Sequence, residues 1–249
     1  LKYKILYAME KLAMFCATDI IAVSESLKSK IVELKLAKSN KIKVLGYGSS
    51  NGVDIEKFNK QFNSIPLEIK EALSEHFVIG FVGRIVKDKG IKEVVEMFKI
   101  LQHRNLKVKL LILGNPEKDD SISNDDYQYL LNNEDIVLVG QVSDPVHYFN
   151  HMDVLVSPTY REGFANVSLE AQAVEVPVIT TRATGAIDTI EDNHTGFLVN
   201  VGESVALADK VEYLIKHPSV KKEMGKNGRH RVEEKFRNEI VWKHLETIY

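Results

Sequence analysis

The sequence predicts an α/β protein built on a parallel sheet covered on both faces. From Phe77 onward, short runs rich in β-branched residues alternate with amphipathic helical stretches. Strands buried on both faces have this near-continuous apolar character. The 249 residues, 44% of them hydrophobic, are enough to bury one large core or two small ones.

The elements follow in chain order. Residues 1–50 are expected to hold a helix over about Tyr3–Phe15, a strand at Ile20–Val23, a helix started by Ser24 or Ser26, and a strand at Lys43–Leu45. That is too little for an independent domain. Gly46-Tyr47-Gly48-Ser49-Ser50-Asn51-Gly52 breaks the pattern and reads as a linker. The main-sheet strands are expected at Phe77–Val82, Val108–Leu113, Ile136–Val139, Val154–Ser157, Val176–Thr180 and Phe197–Val199. Between the first two, Ile91, Val94, Val95, Phe98 and Leu101 fall on one helical face, completing a βαβ unit. Charged helical segments run from Glu203 to Tyr249, and Pro218 opens one of them.

Composition excludes several classes. The formal net charge of −2 argues against nucleic acid as a partner. No apolar run approaches the roughly 18 residues of a membrane span. Lys2, Lys4, Glu10 and Lys11 interrupt the apolar stretch that a secretory leader needs. The first residue is Leu1 rather than Met, so a piece of a longer protein is expected. Residues 1–50 carry nine lysines against four acids. This surplus reads first as a solvated helical face and second as a surface for an anionic membrane. Cys16 is the single cysteine, expected to be a buried inert thiol in a reducing cytoplasm. His147 and His151 have helical spacing but no third ligand, so no metal site is expected.

Two segments carry the chemistry, and each follows a predicted strand. In Arg161-Glu162-Gly163-Phe164-Ala165-Asn166-Val167-Ser168-Leu169-Glu170-Ala171, two carboxylates with seven residues between them bracket a loop and a helix start. Free N–H groups at a helix N-terminus favour anions, whereas carboxylates accept from hydroxyls, so a ligand carrying both phosphate and hydroxyls suits the site. A nucleotide sugar is such a ligand. In Gly83-Arg84-Ile85-Val86-Lys87-Asp88-Lys89-Gly90, Arg84 offers a planar fork and Lys89 a point charge for phosphate. Gly83 permits close backbone approach, and Lys87 is a third donor. The spacing is not the G-x-G-x-x-G dinucleotide fingerprint. Taken alone, Arg84 and Lys89 read equally well as surface cations, and Glu170 as an acid favoured by the helix dipole. Gly140-Gln141-Val142-Ser143-Asp144 follows another strand, and a plain turn with a helix start at Asp144-Pro145 explains it equally well. Thr184-Gly185-Ala186 is a further anion-facing turn.

The Glu162–Glu170 segment resembles the E-x7-E signature of the retaining glycosyl transferases group 1 family. Gly83 to Gly90 is similar to that family's phosphate-binding segment. Further resemblances lie at Asn51-Gly52-Val53-Asp54 with Phe58, at Asp153 to Pro158, and at Gly196-Phe197-Leu198-Val199, all in the family's order. The resemblance implies a GT-B fold: one complete Rossmann-like donor-binding domain plus the tail of a preceding one. The implied division is residues 1–50 as that tail, 51–76 as inter-domain linker, 77–235 as the nucleotide-sugar-binding domain and 236–249 as a helix crossing back. It further implies Arg84 and Lys89 on the diphosphate and Glu162 by the donor sugar, these three being the catalytic candidates. Glu170 would take the ribose hydroxyls. The amides of Gly163, Phe164 and Ala165 would reach sugar or phosphate oxygens, with Gly83 beside them and Val142 at the base.

The expected reaction is transfer from a UDP- or GDP-sugar to a glycan or lipid-linked acceptor in bacterial cell-surface polysaccharide synthesis. No metal or cofactor is expected, because the protein's cations replace it. A cytoplasmic location is expected, with peripheral attachment to the inner face of the membrane as an option. The family's active-site histidine has no counterpart here, so this piece alone is expected to bind donor but to transfer sugar poorly. The competing classes are a non-catalytic nucleotide-sugar module of a split enzyme, a glycoside hydrolase using Glu162 and Glu170, and a nucleotide-sugar epimerase.

Overall fold

The computed structural model describes residues 2–61, 64–117 and 122–247. Phe62 and Asn63 of the expected linker, and Ile248 and Tyr249 of the expected crossing helix, lie outside them. The first part holds α1 (Lys2–Cys16), β1 (Ile20–Ala22), α2 (Glu25–Glu33) and β2 (Ile42–Val44), with β1 and β2 paired in parallel. Ser24 caps α2, its hydroxyl accepting the Leu27 N–H at 3.2 Å. Only a small core forms here, from Ala22, Ile31 and Ile42 with Met14 packed on it. Apart from Tyr7, whose hydroxyl donates to Leu34 O at 2.9 Å, most of α1 is exposed: Phe15 is 80% exposed and Tyr3 71%. Cys16, expected to be buried, is exposed for the same reason.

The main sheet holds β3 (Phe77–Val82), β4 (Val108–Leu113), β5 (Ile136–Gly140), β6 (Val154–Ser157), β7 (Val178–Thr181) and β8 (Gly196–Val199). All pairs are parallel, in the order β5-β4-β3-β6-β7-β8. Strand β7 begins two residues later than the sequence suggests, after Pro177, whose ring nitrogen has no N–H for a ladder. The crossovers supply α4 (Ile91–His103), α5 (Asn124–Asn132), α6 (Val146–Phe149) and α7 (Asn166–Ala173), and α8 (Ser204–Lys216) and α9 (Pro218–Lys235) follow β8.

Alternation along the strands divides the core in two. Ile79, Phe81, Leu110, Ile112, Val154 and Val156 pack with Val94, Phe98, Leu207 and Val211 of α4 and α8. Val78, Leu111, Leu113 and Leu155 face the other way, onto Phe149, Leu169 and Val232 of α6, α7 and α9. This is the doubly covered sheet that the apolar runs predict.

Residues 51–76 are more than a tether. Val53, Ile55 and Phe58, with Leu73 of α3 (Leu67–Leu73), join the second core. Val53 also exchanges backbone bonds with the chain after α9, donating to Phe236 O at 2.7 Å and accepting from Asn238 N at 3.2 Å. The last helix, α10 (Asn238–Glu246), starts there, and its Trp242 donates to Asn51 Oδ1 at 3.0 Å. Among the described residues no helix is long and apolar enough to cross a membrane. His147 and His151 do not share a helix, because α6 ends at Phe149. No group of three or more His, Cys, Asp and Glu is placed to hold a metal, again among the described residues.

Candidate active site

Strand order reverses between β3 and β6: β3 continues outward to β4 and β5, and β6 to β7 and β8. Open parallel sheets bind ligands at the carboxyl ends of such strands. The two motif segments leave from these two strands.

After β3, Gly83 has φ +151°, and a Cβ built on it would meet nothing within 4 Å. The position suits glycine and leaves its backbone open to a ligand. Ile85 and Val86 are buried at 0% and 1% exposure and hold the segment down. Arg84 just before them and Lys87 just after them are both exposed. A short 3-10 turn, Lys87–Lys89, then ends at Gly90 in the left-handed conformation, which starts α4. A Cβ at Gly90 would lie 2.1 Å from Pro158 O, so a side chain there would push the two loops apart.

After β6, the loop is laced to this turn. Thr159 Oγ1 donates to Asp88 O at 3.0 Å, and the Tyr160 N–H donates to the same carbonyl at 2.9 Å. Arg161 grips the Asp88 carboxylate at 2.6 Å. Lys89 Nζ is hydrogen-bonded to Glu162 Oε1, both side chains being mostly buried. Glu162 N–H is held by Thr184 O at 2.9 Å. The amides of Gly163, Phe164 and Ala165 have no protein acceptor among the described residues and stand at the start of α7. The Phe164 ring is used elsewhere, packed 5.7 Å from Phe236.

Arg84 forms an exposed ion pair with Glu117 at 2.7 Å. That pair raises the Arg84 pKa, with smaller contributions from Glu162 and Asp88, which sets Arg84 within electrostatic range of both loops. Gly83 and Arg84 line a cavity of 450 Å³ with Val82, Gly114, Gln141 and Val142. Val142 thus shares a wall with the phosphate segment, whereas Lys89, Glu162 and Glu170 lie outside this lining. A larger cavity of 860 Å³ opens between α1 and the residues after α2, around Lys11, Phe15, Leu36 and Lys41, and touches no motif residue.

Glu170 stands on α7 opposite the buried Leu169 and Ala171. Among the described residues no protein group donates to it. Burial is the main cause that pushes its carboxyl above the usual range, opposed by Lys57 and reinforced by Asp144. The folded chain therefore keeps a proton at pH values where the unfolded chain has lost it. Stability falls as pH rises from the ordinary glutamate value through the raised one. Glu170→Gln is expected to flatten that part of the profile and raise the thermal midpoint near neutral pH. An unchanged or lower midpoint there would refute the burial account.

Four participants carry no signal in residue spacing. Lys57 comes from the presumed linker and pairs with Asp144 at 3.3 Å, bringing both near Glu170. Asp88 is the acceptor shared by the two loops. Ser26 of α2 reaches the turn after β7: its N–H donates to Asp188 Oδ1 at 3.1 Å and its hydroxyl donates to Asp188 Oδ2. The Gly185 N–H in turn donates to Ser26 Oγ at 2.7 Å. The Thr184-Gly185-Ala186 turn, read from sequence as anion-facing, therefore has its Gly185 N–H bonded to the protein itself.

The doubly wound parallel sheet is the fold of the GT-B glycosyltransferases that the chain resembles in structure. A profile of the glycosyl transferases group 1 family matches residues 67–231, and the chain belongs to that family. It is 54% identical over 248 residues to the capsular polysaccharide biosynthesis glycosyltransferase CapM of Staphylococcus aureus, covering all of this chain and 65% of CapM. Among solved structures it resembles a glycosyltransferase from Rickettsia africae, with TM-score 0.78 and 26% identity over 92% of this chain and 62% of that one. Anabaena HepE, solved in complex with UDP, matches with TM-score 0.78 and 21% identity over 93% of this chain and 64% of HepE. The chain thus spans less than two thirds of the length of each of these relatives.

Proposed function

We propose that this chain carries the nucleotide-sugar site of a retaining glycosyltransferase that builds a capsular or other cell-surface polysaccharide. The observation that carries this reading is the meeting of Lys89 and Glu162, from two motifs, at the switch point, with Arg84 on one flank and Glu170 on the other. Arg84 and Lys89 neutralise the diphosphate as it departs, the role that a metal ion plays elsewhere. Glu162 lies by the sugar, and the amides of Gly163, Phe164 and Ala165 receive sugar or phosphate oxygens. Glu170, with no protein donor, accepts from the ribose, and Val142 meets the base through its main chain. The ionised carboxylate is the form of Glu170 that accepts from both ribose hydroxyls, so donor binding weakens as pH falls below its raised pKa.

The donor is a UDP- or GDP-sugar; the similarity to HepE, which binds UDP, supports the first. The acceptor is a glycan or lipid-linked glycan, handled at the cytoplasmic face of the membrane with no metal cofactor. The lysine surplus of residues 1–50 is consistent with peripheral attachment there. A hydrolase would need Glu162 free for acid or base work, and its pairing with Lys89 disfavours that reading.

Calorimetry with UDP, GDP, a nicotinamide dinucleotide and a free oligosaccharide tests this function. A nucleoside diphosphate is expected to bind, and at about 100 times its dissociation constant it adds roughly 2.7 kcal/mol to stability. Heat with the oligosaccharide and none with UDP or GDP would overturn the reading.

A further inference from the structure

Glu93 is a buried acid that the donor site as described does not use. It stands in the first turn of α4, shortly after Lys89, and is 4% exposed. Taking a carboxylate out of water costs several kcal/mol unless it is paired. The helix dipole at this position offsets part of that. Glu93 Oε1 accepts the Tyr160 hydroxyl at 2.7 Å, while Oε2 is buried and meets no donor among the described residues. Tyr160 precedes Arg161 and Glu162 in the loop after β6. The bond to Glu93, and then burial, push its hydroxyl up to about 12, so it stays a donor at neutral pH.

Thr159, Tyr160 and Arg161 also reach across to Asp88 on the β3 side. Asp88 belongs to a loop turn, and two loops tied to each other can shift together. The Tyr160–Glu93 bond instead refers the loop to α4, whose Ile91, Val94 and Val95 are 0% exposed. A leucine at position 93 would pack without a desolvation cost, so the buried carboxylate is not explained by packing.

We propose that Tyr160, acting through Glu93, is a positioning residue that fixes the Glu162 carboxylate against Lys89 at the N-terminus of α4. What Glu162 then does for the sugar rests on the transferase reading; the positioning itself does not.

The test compares Tyr160→Phe and the double variant Tyr160→Phe/Glu93→Met with the parent chain. Tyr160→Phe leaves Glu93 without its partner, so its thermal midpoint should fall. The double variant removes the unpaired charge and should regain the midpoint. In both, exchange of the Glu162 amide, which is bonded to Thr184 O, should rise by about tenfold or more, as local opening becomes easier. The slowly exchanging ammonium resonance of Lys89, expected in the parent from its bond to Glu162, should be lost in both. Parent-like exchange and a retained Lys89 resonance in Tyr160→Phe would overturn the proposal. So would their recovery together with the midpoint in the double variant, because Tyr160 would then serve only to satisfy a buried charge. A UDP titration of the parent stands apart: absence of binding there defeats the transferase reading, while exchange and resonance still decide the positioning.

Discussion

Lys89→Ala is expected to weaken UDP binding by about 10- to 150-fold, the equivalent of one charge-assisted hydrogen bond at roughly 1.5–3 kcal/mol. Uridine, which lacks the diphosphate, should bind almost as before. The effect should exceed that of Arg84→Ala, because the side chain of Lys89 is 24% exposed and that of Arg84 57%. Exposed ion pairs are screened and contribute little. The sign at the partner residue is the sharper consequence. Lys89 is bound to Glu162, so a diphosphate must compete with a carboxylate for it. Glu162→Gln removes that competitor's charge and should tighten UDP. Calorimetric titrations of UDP and uridine at one ionic strength check both statements. Equal losses for UDP and uridine in Lys89→Ala would remove Lys89 from the phosphate site.

The largest loss of stability is expected from Arg231→Met. Arg231 lies on α9 and is 9% exposed. Its guanidinium donates to Thr189 O at 2.8 Å, Asp188 O at 2.9 Å and Glu191 Oε1 at 3.2 Å. Its Cζ also lies 4.7 Å from the centre of the Phe236 ring. Methionine keeps most of the apolar stem but leaves Asp188 O without this donor and Thr189 O with Gln172 Nε2 alone. Hydrogen bonds from a charged group contribute about 1.5–3 kcal/mol, whereas the Glu191 pair adds little, because Glu191 is 43% exposed and keeps Lys235. Lysine should not rescue it, since one ammonium cannot span acceptors that a planar fork reaches together. The turn that Arg231 holds contains Asp188, which receives Ser26, so loosening it should also free the Gly185 amide. Urea denaturation measures the loss, and a value under about 1 kcal/mol would show that the network is replaceable.

Much of the fold is legible along the chain. Phe77–Val82 and Val108–Leu113 are strands with the boundaries their apolar runs suggest, because a strand buried on both faces has few polar residues to blur its ends. The loops after β3 and β6 are legible as well, because glycine and charged residues follow the apolar runs directly, while their reading as a ligand site comes from the family resemblance. In the stretch 51–76 the packing on the second core is not legible, because Asn51 and Gly52 open it as a break and Ile55, Phe58 and Leu73 are too widely spaced to show a period. Cys16 misleads for the opposite reason: apolar neighbours suggest burial, yet the described chain packs little against α1.

The sequence by itself determined the order of strands, loops and helices, and with it the placing of Gly83–Gly90 and Glu162–Glu170 just after strands. Those are local properties, set by periodicity and turn chemistry within a few residues. The family resemblance adds roles to those residues, but not their contacts. Only the tertiary structure decided which residues meet. Lys89 touches Glu162 across 73 positions because β3 and β6 lie side by side in the sheet. Lys57 is drawn to Asp144 because Phe58 is buried in the same core. Ser26 claims the Gly185 amide across 159 positions. Strand adjacency and burial are settled by the packing of the whole chain, and no short window of residues contains them.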